Sequence, residues 1–366
     1  MSASPTTKTT AGRFFEDFHV GDALRHATPR TLRDGDASLY SALYGTRFAV
    51  QSAESFARTI GYPKAPIDDL LAFHVVFGKT VPDVSLNAIA NLGYAACRFL
   101  APVYPGDTLS ATSEVIGLRE NSNRQSGTVY VRSRGFNQRG EVVLDYVRWV
   151  MVRKRDAASP APAPVIPDLP AAVAPDALGA ACPPLTAGAY DDALAGSLYR
   201  WGDYVKGERI DHVDGVTVEE AEHQIATRLY QNTAKVHFNQ FSEAQGRFGN
   251  RLIYGGHVIS LARALSFNGL ANAFHIAAIN GGRHVAPLFA GDTLFAWSEV
   301  LDVAQLPGRE DVGALRLRTI ATKNHPCADF PGREGDGYES HVVLDLDYWA
   351  LLPRRGPSCV FLTTPL

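Results

Sequence analysis

The chain has 366 residues, a net charge of −3, 46% hydrophobic residues and 20% charged residues. This balance is typical of a globular protein and excludes a fibrous or disordered chain. No run of Lys or Arg is long enough to form a nucleic-acid surface, and no apolar run approaches the ~20 residues that a membrane-spanning helix needs.

Targeting and redox features favour a cytoplasmic protein. The opening residues MSASPTTKTTAGR contain no apolar signal core. The four cysteines, Cys97, Cys182, Cys327 and Cys359, have no paired spacing, so neither a disulfide framework nor a zinc site is indicated. We expect a cytoplasmic protein with no metal site, and with neither nucleic acid nor a membrane as a partner.

Comparison of the sequence with itself reveals an internal duplication. The matching blocks are TLRDGDASLYSALYGTRFAVQ (31–51) with TVEEAEHQIATRLYQNTAKVH (217–237), CRFLAPVYPGDTLSATSEV (97–115) with GRHVAPLFAGDTLFAWSEV (282–300), and VVLDYVRW (142–149) with VVLDLDYW (342–349). The stretch between the copies is dominated by Ala and Pro, which predicts an extended covering linker. The predicted units are therefore residues 12–155 and 191–366, joined by a linker at 156–190.

Each copy is predicted to open with a helix that leads to a second, apolar helix. Thr217 and Glu220 have the spacing of a capping box, and Thr31 and Asp34 occupy these places in the first copy. The apolar segments are LLAFHVVFGKTV and GGHVISLARALSFNG, and the second has apolar residues at i, i+3, i+4 and i+7 counted from Val258. This spacing predicts a buried helix.

After the apolar helix the hydrophobic period changes to two. The runs FHIAAIN, DTLFAWSEVLDV, ALRLRTIATK and SHVVLDLDYWALL predict four antiparallel strands in the second copy. A helix followed by such a meander predicts an α+β unit in which the sheet wraps around a central helix, the hot-dog arrangement. Two units in tandem form a double hot-dog, and we expect a pseudo-dimer with one joined sheet because an isolated sheet leaves an edge uncovered.

Two segments of the second copy, YQNTAKVHFN (230–239) and RLIYGGHVISLARAL (251–265), resemble the signature of MaoC-like hydratases. In that family a Gly-Asp-x-Asn-Pro-x-His run supplies a catalytic Asp and His, and a Gly stands at the start of the hot-dog helix. His237 matches the His and Gly256 matches the Gly, whereas Asn232 occupies the Asp position. The resemblance implies an acyl-CoA hydratase, a hydro-lyase, with these three residues as its catalytic group.

Hydration of an α,β-unsaturated thioester needs a base for water, a proton donor for C2 and a stabilised enolate oxygen. His237 can carry protons because the ordinary pKa of imidazole is about 6.5. The amide of Asn232 can only orient water, and the bare N–H of Gly256 is a candidate oxyanion contact at the positive end of a helix dipole. Either His237 acts alone through one water, or a carboxylate joins it; the candidates are Glu222, Glu243, Asp68 and Asp69.

The first copy lacks all three catalytic roles. Thr46, Gln51 and Leu70 stand where the second copy has its amide, imidazole and helix-start glycine. We therefore predict one active site per chain, with the first copy as a wall that receives part of the acyl-CoA. We expect structural roles for His74, His257 and His275.

The first-copy stretches APIDDLLAFHVVFGKTVPDVSLNAIANLGYAACRFLAPVYPGDTLSA and VLDYVRWVMVRKRD closely resemble mesaconyl-CoA hydratases, also called β-methylmalyl-CoA dehydratases. The likeness implies the interconversion of mesaconyl-CoA and β-methylmalyl-CoA, without a cofactor or metal, since CoA is part of the substrate. The free carboxylate of such an acyl group calls for Arg, whose planar fork binds carboxylate bidentately. The predicted substrate-binding residues are Arg47, Arg251, Arg283, Tyr254 and Gly255.

Three other functions stay open at this point. The first is an (R)-specific enoyl-CoA hydratase of simple acyl chains. The second is an acyl-CoA thioesterase, because hot-dog folds also cleave acyl-CoA, although no carboxylate matches the position over the helix start. The third is a non-catalytic acyl-CoA binding module, which would not explain why one copy alone keeps the motif. In each case we expect a homodimer or higher homo-oligomer.

Overall fold

The computed structural model describes residues 8–355, so Cys359 and the end of the predicted second unit lie outside the described residues. No helix in residues 8–355 is long and apolar enough to cross a membrane. The first unit consists of a 3-10 turn (Phe15–Asp17), a π-helical turn (Val81–Ser85), helices α1 (Asp34–Tyr44), α2 (Ala49–Ser52), α3 (Glu54–Thr59) and α4 (Asp69–Thr80), and strands β1 (Ala23–Thr31), β2 (Ala88–Phe99), β3 (Thr108–Glu120), β4 (Ser126–Phe136) and β5 (Val142–Arg153).

The second unit repeats this order of elements. After a 3-10 turn (Trp201–Asp203) its helices are α6 (Glu220–Leu229), α7 (Lys235–Phe238), α8 (Gln240–Glu243), α9 (Gly255–Leu265) and α10 (Phe267–Leu270), with α5 (Asp192–Ala195) preceding the turn. Its strands are β6 (Arg209–Asp211), β7 (Val216–Thr217), β8 (His275–His284), β9 (Thr293–Gln305), β10 (Val312–Lys323) and β13 (Val342–Pro353), and a small hairpin of β11 (Arg333–Glu334) and β12 (Gly337–Tyr338) fills the loop before β13.

The two units share one sheet. Its strand order is β1-β3-β4-β5-β2-β8-β13-β10-β9-β6, all pairs are antiparallel, and β7 also pairs with β9. β2 and β8 join the units, with Tyr94 paired to Gly282 and Arg98 paired to Ala278. α4 and α9 are the buried central helices of the two halves. The double hot-dog with a joined sheet is therefore confirmed.

The segment between β5 and α5 has little regular structure and runs along the sheet. Val165 forms an isolated bridge with Leu118 of the first unit. Further on, the carbonyl of Val173 accepts a hydrogen bond from the indole of Trp349, and its N–H donates to Asn280 at 2.8 Å. The segment thus contacts both units, in the way a covering linker would.

Corresponding residues of the two units meet at their boundary. The hydroxyls of Tyr44 and Tyr230 lie 2.6 Å apart, and Nε2 of His74 lies 2.9 Å from the hydroxyl of Ser260. The members of each pair are 186 residues apart, which is also the shift of the first repeated block. Contacts between equivalent residues are a property of two-fold, isologous interfaces, so the units pack as a pseudo-dimer.

Both predicted capping boxes are wrong. Thr31 and Thr217 are the last residues of β1 and β7, and their hydroxyls bond threonines of β3 and β9. α1 is instead capped by Asp36, which accepts a hydrogen bond of 2.8 Å from the N–H of Arg33. α6 has Glu219 as its N-cap, without a side-chain bond. The spacing is that of a cap, but each threonine is still part of a strand, and its hydroxyl is bound across the sheet.

The loop that follows α6 crosses the central helix of the first unit at Gly78. A β-carbon on Gly78 would overlap the carbonyl oxygen of Tyr230. We expect Gly78→Ala to lower the free energy of unfolding by about 1 to 3 kcal/mol, the usual cost of overpacking. Urea titration measures this change.

Gly35→Ala is the matched control. Gly35 lies in the first turn of α1, and a β-carbon there meets no atom within 4 Å. Ala at a helical position without strain gains up to about 1 kcal/mol relative to Gly. Equal stability of the two variants would contradict the close packing of the units at Gly78.

Candidate active site

α9 begins with two glycines at the boundary between the units. A β-carbon on Gly255 would overlap the ring of His284, and one on Gly256 would overlap the rings of Tyr254 and His74. Only glycine fits at either position. The first N–H groups of a helix have no partner inside it and lie at its positive end, so this turn presents donors suited to an oxyanion.

His237 lies in α7, on the loop that leads to this helix start. Its Nδ1 is 2.9 Å from the carbonyl oxygen of Leu252. A carbonyl only accepts, so the neutral ring carries its proton on Nδ1 and its lone pair on Nε2. Burial lowers the pKa of His237 to about 4. The imidazole, 5.4 Å from the ring of Tyr254 between centroids, is therefore a neutral base beside the start of α9.

Asn232 is held by the backbone of its own loop. It is 1% exposed, its N–H donates to the carbonyl of Thr227 at 2.9 Å, and its Oδ1 accepts from the N–H of Ala234 at 3.2 Å. Because the oxygen is engaged, the amide nitrogen is the part that can contact a ligand. Asn232 can donate a hydrogen bond there but cannot exchange a proton.

Three more histidines lie around His237. Nε2 of His223 accepts a hydrogen bond of 2.9 Å from the N–H of Tyr254, which fixes the entry to α9. The ring centroid of His223 is 6.3 Å from that of His237 and 5.6 Å from that of His257. Burial is the largest cause that lowers the pKa of His223 to about 2, of His257 to about 3 and of His284 to about 4. These imidazoles are neutral near pH 7.

His284 was missed by the sequence interpretation. It ends β8, its ring packs on Gly255, and its Nε2 is buried without a hydrogen-bond partner in the described part of the chain. A signal was available, because the first copy has Phe99 at the matching position. All four histidines of this group replace non-histidine residues of the first copy.

The three arginines predicted to bind a carboxylate lie elsewhere. Arg47 is exposed, 4.5 Å above the ring of Phe267, which follows the far end of α9, a helix about 16 Å long. The guanidinium of Arg251 is bound by two polar side chains of α6. Arg283 is exposed and precedes the last residue of β8, so its side chain faces the side of the sheet away from His284.

The four candidate carboxylates do not contact His237 through a hydrogen bond. Two of them have structural roles, and the other two form no hydrogen bond with a site residue. Asp68 caps α4, and burial followed by the charge of Asp69 raises the pKa of Asp68 to about 6. Asp69 lies 2.9 Å from Nδ1 of His275 and so ties the two units together. Glu222 and Glu243 form no hydrogen bond with a site residue within residues 8–355. None of these four carboxylates forms a hydrogen bond with His237, whose Nδ1 is bound to the carbonyl of Leu252.

The buried imidazoles make stability depend on pH. Their folded pKa values lie below the unfolded value of about 6.5, so the unfolded chain binds more protons as pH falls below 6.5. Each group then lowers the free energy of unfolding by up to about 1.4 kcal/mol per pH unit until its folded pKa is reached. We expect a steep loss of stability between pH 6.5 and 4.5, measured by urea titration.

His257→Leu tests the origin of this slope, because the first unit has Leu71 at the matching position. The variant should show a slope shallower by up to about 1.4 kcal/mol per pH unit below pH 6. A wild-type stability that stays constant between pH 7 and 5 would show that these rings exchange protons freely in the folded state.

Comparisons with known proteins agree with this geometry. The family model described as mesaconyl-CoA hydratase matches residues 4–335. A β-methylmalyl-CoA dehydratase of Chloroflexus aurantiacus is 63% identical over 352 residues, which cover 96% of this chain and 100% of that protein. A mesaconyl-CoA hydratase of Cereibacter sphaeroides is 62% identical over 350 residues, with 95% and 100% covered.

Solved structures agree as well. A MaoC domain protein dehydratase from Chloroflexus aurantiacus superposes with a TM-score of 0.93 at 62% identity, over 96% of this chain and 100% of that one. A Mycobacterium tuberculosis protein described as a double hotdog fold gives a TM-score of 0.71 at 24% identity, over 94% and 99% of the two chains, and so supports the fold alone. From the family match and the two relatives above 60% identity, the chain belongs to the mesaconyl-CoA hydratase family.

Proposed function

We propose that this chain catalyses the reversible hydration of mesaconyl-CoA to β-methylmalyl-CoA. The names of two relatives that are 62% and 63% identical over nearly the whole chain support this substrate. The observation that carries the reaction type is the neutral imidazole of His237 beside the bare helix start at Gly255 and Gly256.

His237 acts as the base toward water. Its Nε2 takes a proton while the water oxygen bonds to C3, and the electrons of the double bond move through C2 to the thioester oxygen as an enolate. The imidazolium then returns its proton to C2, and the ring is neutral again. A pKa near 4 makes this imidazolium a better proton donor than an ordinary imidazolium, whose pKa is about 6.5. His237 can thus act first as the base and then as the acid. It has to do both in this scheme, because the amide of Asn232 cannot exchange a proton.

The enolate oxygen in this scheme lies at the start of α9. The N–H of Gly256 donates to it at the positive end of the helix dipole. His284, in the tautomer protonated at Nε2, is a second donor, since a neutral imidazole can polarise a carbonyl. Loss of one such donor typically costs on the order of 10² to 10³ in rate. The Asn232 amide nitrogen orients the water or the acyl group.

The reaction calls for no cofactor or metal in this proposal. The thioester itself makes C3 electrophilic and accepts the charge as an enolate, so redox chemistry has no part. CoA enters as part of the substrate.

We further infer a cytoplasmic homo-oligomer. Cys97, Cys182 and Cys327 are buried free thiols, which suits a reducing compartment. Leu194 and Leu198, four residues apart in the sequence, are 74% and 70% exposed, and exposed apolar side chains support a contact between copies. Light scattering of the purified protein measures the oligomeric state.

His237→Gln removes the base and keeps a polar side chain of similar size. We expect kcat/KM for mesaconyl-CoA to fall by about 10² to 10⁴, the usual contribution of a general base, measured as loss of the enoyl absorbance. His325→Gln is the control, because His325 lies in the loop before β13 with a side chain 37% exposed. Activity of His237→Gln within tenfold of wild type would exclude His237 as the base.

A panel of thioesters tests the substrate. We expect faster hydration of mesaconyl-CoA than of crotonyl-CoA, which lacks the free carboxylate, and no release of thiol from either. A crotonyl-CoA preference would instead indicate an enoyl-CoA hydratase of simple chains. Thiol release without hydration would indicate a thioesterase.

A further inference from the structure

Arg148 of β5 is a buried cation that forms no ion pair with a carboxylate of residues 8–355. Its side chain is 0% exposed, and its guanidinium carbon lies 4.2 Å from the ring centroid of Phe77. One terminal nitrogen donates to the hydroxyls of Thr80 at 2.8 Å and Ser85 at 3.2 Å. Its Nε has no hydrogen-bond partner within residues 8–355. The Nε–H group is therefore a buried donor that is still free.

Two other arginines on the sheet are paired with carboxylates. Arg318 is paired with Asp345 at 2.7 Å, and Arg316 with Asp347 at 2.6 Å. Burial of a charge without an opposite charge is costly, and the carboxyl end of α4 offsets only part of this cost through its dipole. An anion that reached Arg148 would meet a cation already desolvated and held in place.

Arg148 faces the same interior as the active site. It is paired with Tyr94 in the register of β5 and β2, and Tyr94 is paired with Gly282 of β8. Paired residues of neighbouring strands lie on the same face of the sheet. His284 is two residues beyond Gly282 on β8, so it lies on that face as well. The ring centroids of Tyr94 and His284 are 6.1 Å apart. Two strand spacings, about 10 Å, separate the backbones of Arg148 and Gly282.

A second set of rings links the same two points. The ring centroid of Tyr254 lies 5.4 Å from that of His237 and 5.8 Å from that of Phe77, which lies against Arg148. A short acyl group with its thioester at the start of α9 would extend along these rings into the first unit. Its far end would then approach the guanidinium.

We propose that Arg148 binds the free carboxylate of a dicarboxylic acyl-CoA, an inference that rests on the proposed function. In mesaconyl-CoA the carboxylate is bonded directly to C3, the carbon that water attacks, so it must lie just beyond the base. The free Nε–H of Arg148 can donate a charge-assisted hydrogen bond to an oxygen of this carboxylate, while Nη2 stays bound to Thr80 and Ser85. The side chains of Arg47, Arg251 and Arg283 do not lie where this carboxylate would be.

Arg148→Met tests the proposal with two matched substrates. They are mesaconyl-CoA and 2-methyl-trans-2-butenoyl-CoA, in which a methyl group replaces the carboxylate. We expect the ratio of their kcat/KM values to fall by about 100-fold, the usual effect of removing one partner of a buried charge pair. Arg148→Lys should recover part of the ratio. Arg134→Met, with a side chain 45% exposed on β4, should leave the ratio unchanged.

A purely structural role gives a different result. Arg148→Met would then reduce activity on both thioesters by the same factor, and the proposal would be overturned. Inhibition of the wild-type protein provides a measurement that needs no variant to fold. Succinyl-CoA should bind more tightly than butyryl-CoA, and equal affinities would overturn the proposal. If wild type does not hydrate mesaconyl-CoA at all, the proposed function fails too; if only the ratio is unaffected, this inference fails alone.

Discussion

The packing of the second unit's loop against the first unit's central helix is the constraint on which the site depends. Gly78 allows the carbonyl of Tyr230 to approach α4, so the residues that follow Tyr230 enter the boundary between the units. From the opposite side, His74 of α4 lies against Gly256 and Tyr44 bonds His257 at 2.8 Å. A single unit would leave this helix start open to water. Fusion of two units therefore provides the dry surroundings that keep the imidazoles neutral.

Residues that match between the copies maintain the fold, and residues that differ form the site. His26 and His212 each bond a serine of the neighbouring strand, Ser113 at 2.7 Å and Ser298 at 2.8 Å, at matching places in the two units. Neither pair belongs to the group of histidines around His237. By contrast, the second unit alone has His237 and the histidines around it. Once one copy supplies the chemistry, the other is free to replace the same positions with residues that only pack.

Much of the fold and part of the site could be predicted from the sequence. The duplication and the strands follow from repeated blocks and period-two runs, and His237 and Gly256 follow from a motif whose residues are close along the chain. Arg251 could not be placed, because its partners belong to α6 and a pairing across the fold leaves no local pattern. Arg283 and His284 are neighbours in sequence but face opposite sides of β8, and only the strand's orientation decides which of them reaches α9.

The charges of the site explain how a base of low pKa can still work. His237 has a pKa of about 4 because its ring is buried, and Asn232 stands where the MaoC-like signature has Asp. A substrate that carries its own carboxylate on C3 brings a negative charge beside this ring, and a nearby negative charge raises the pKa of imidazole. Arg148 holds that carboxylate in the proposed complex and limits the rise. On binding, the substrate would thus bring a negative charge near His237 that the neutral amide of Asn232 does not provide. An acyl chain without a carboxylate would not bring this charge.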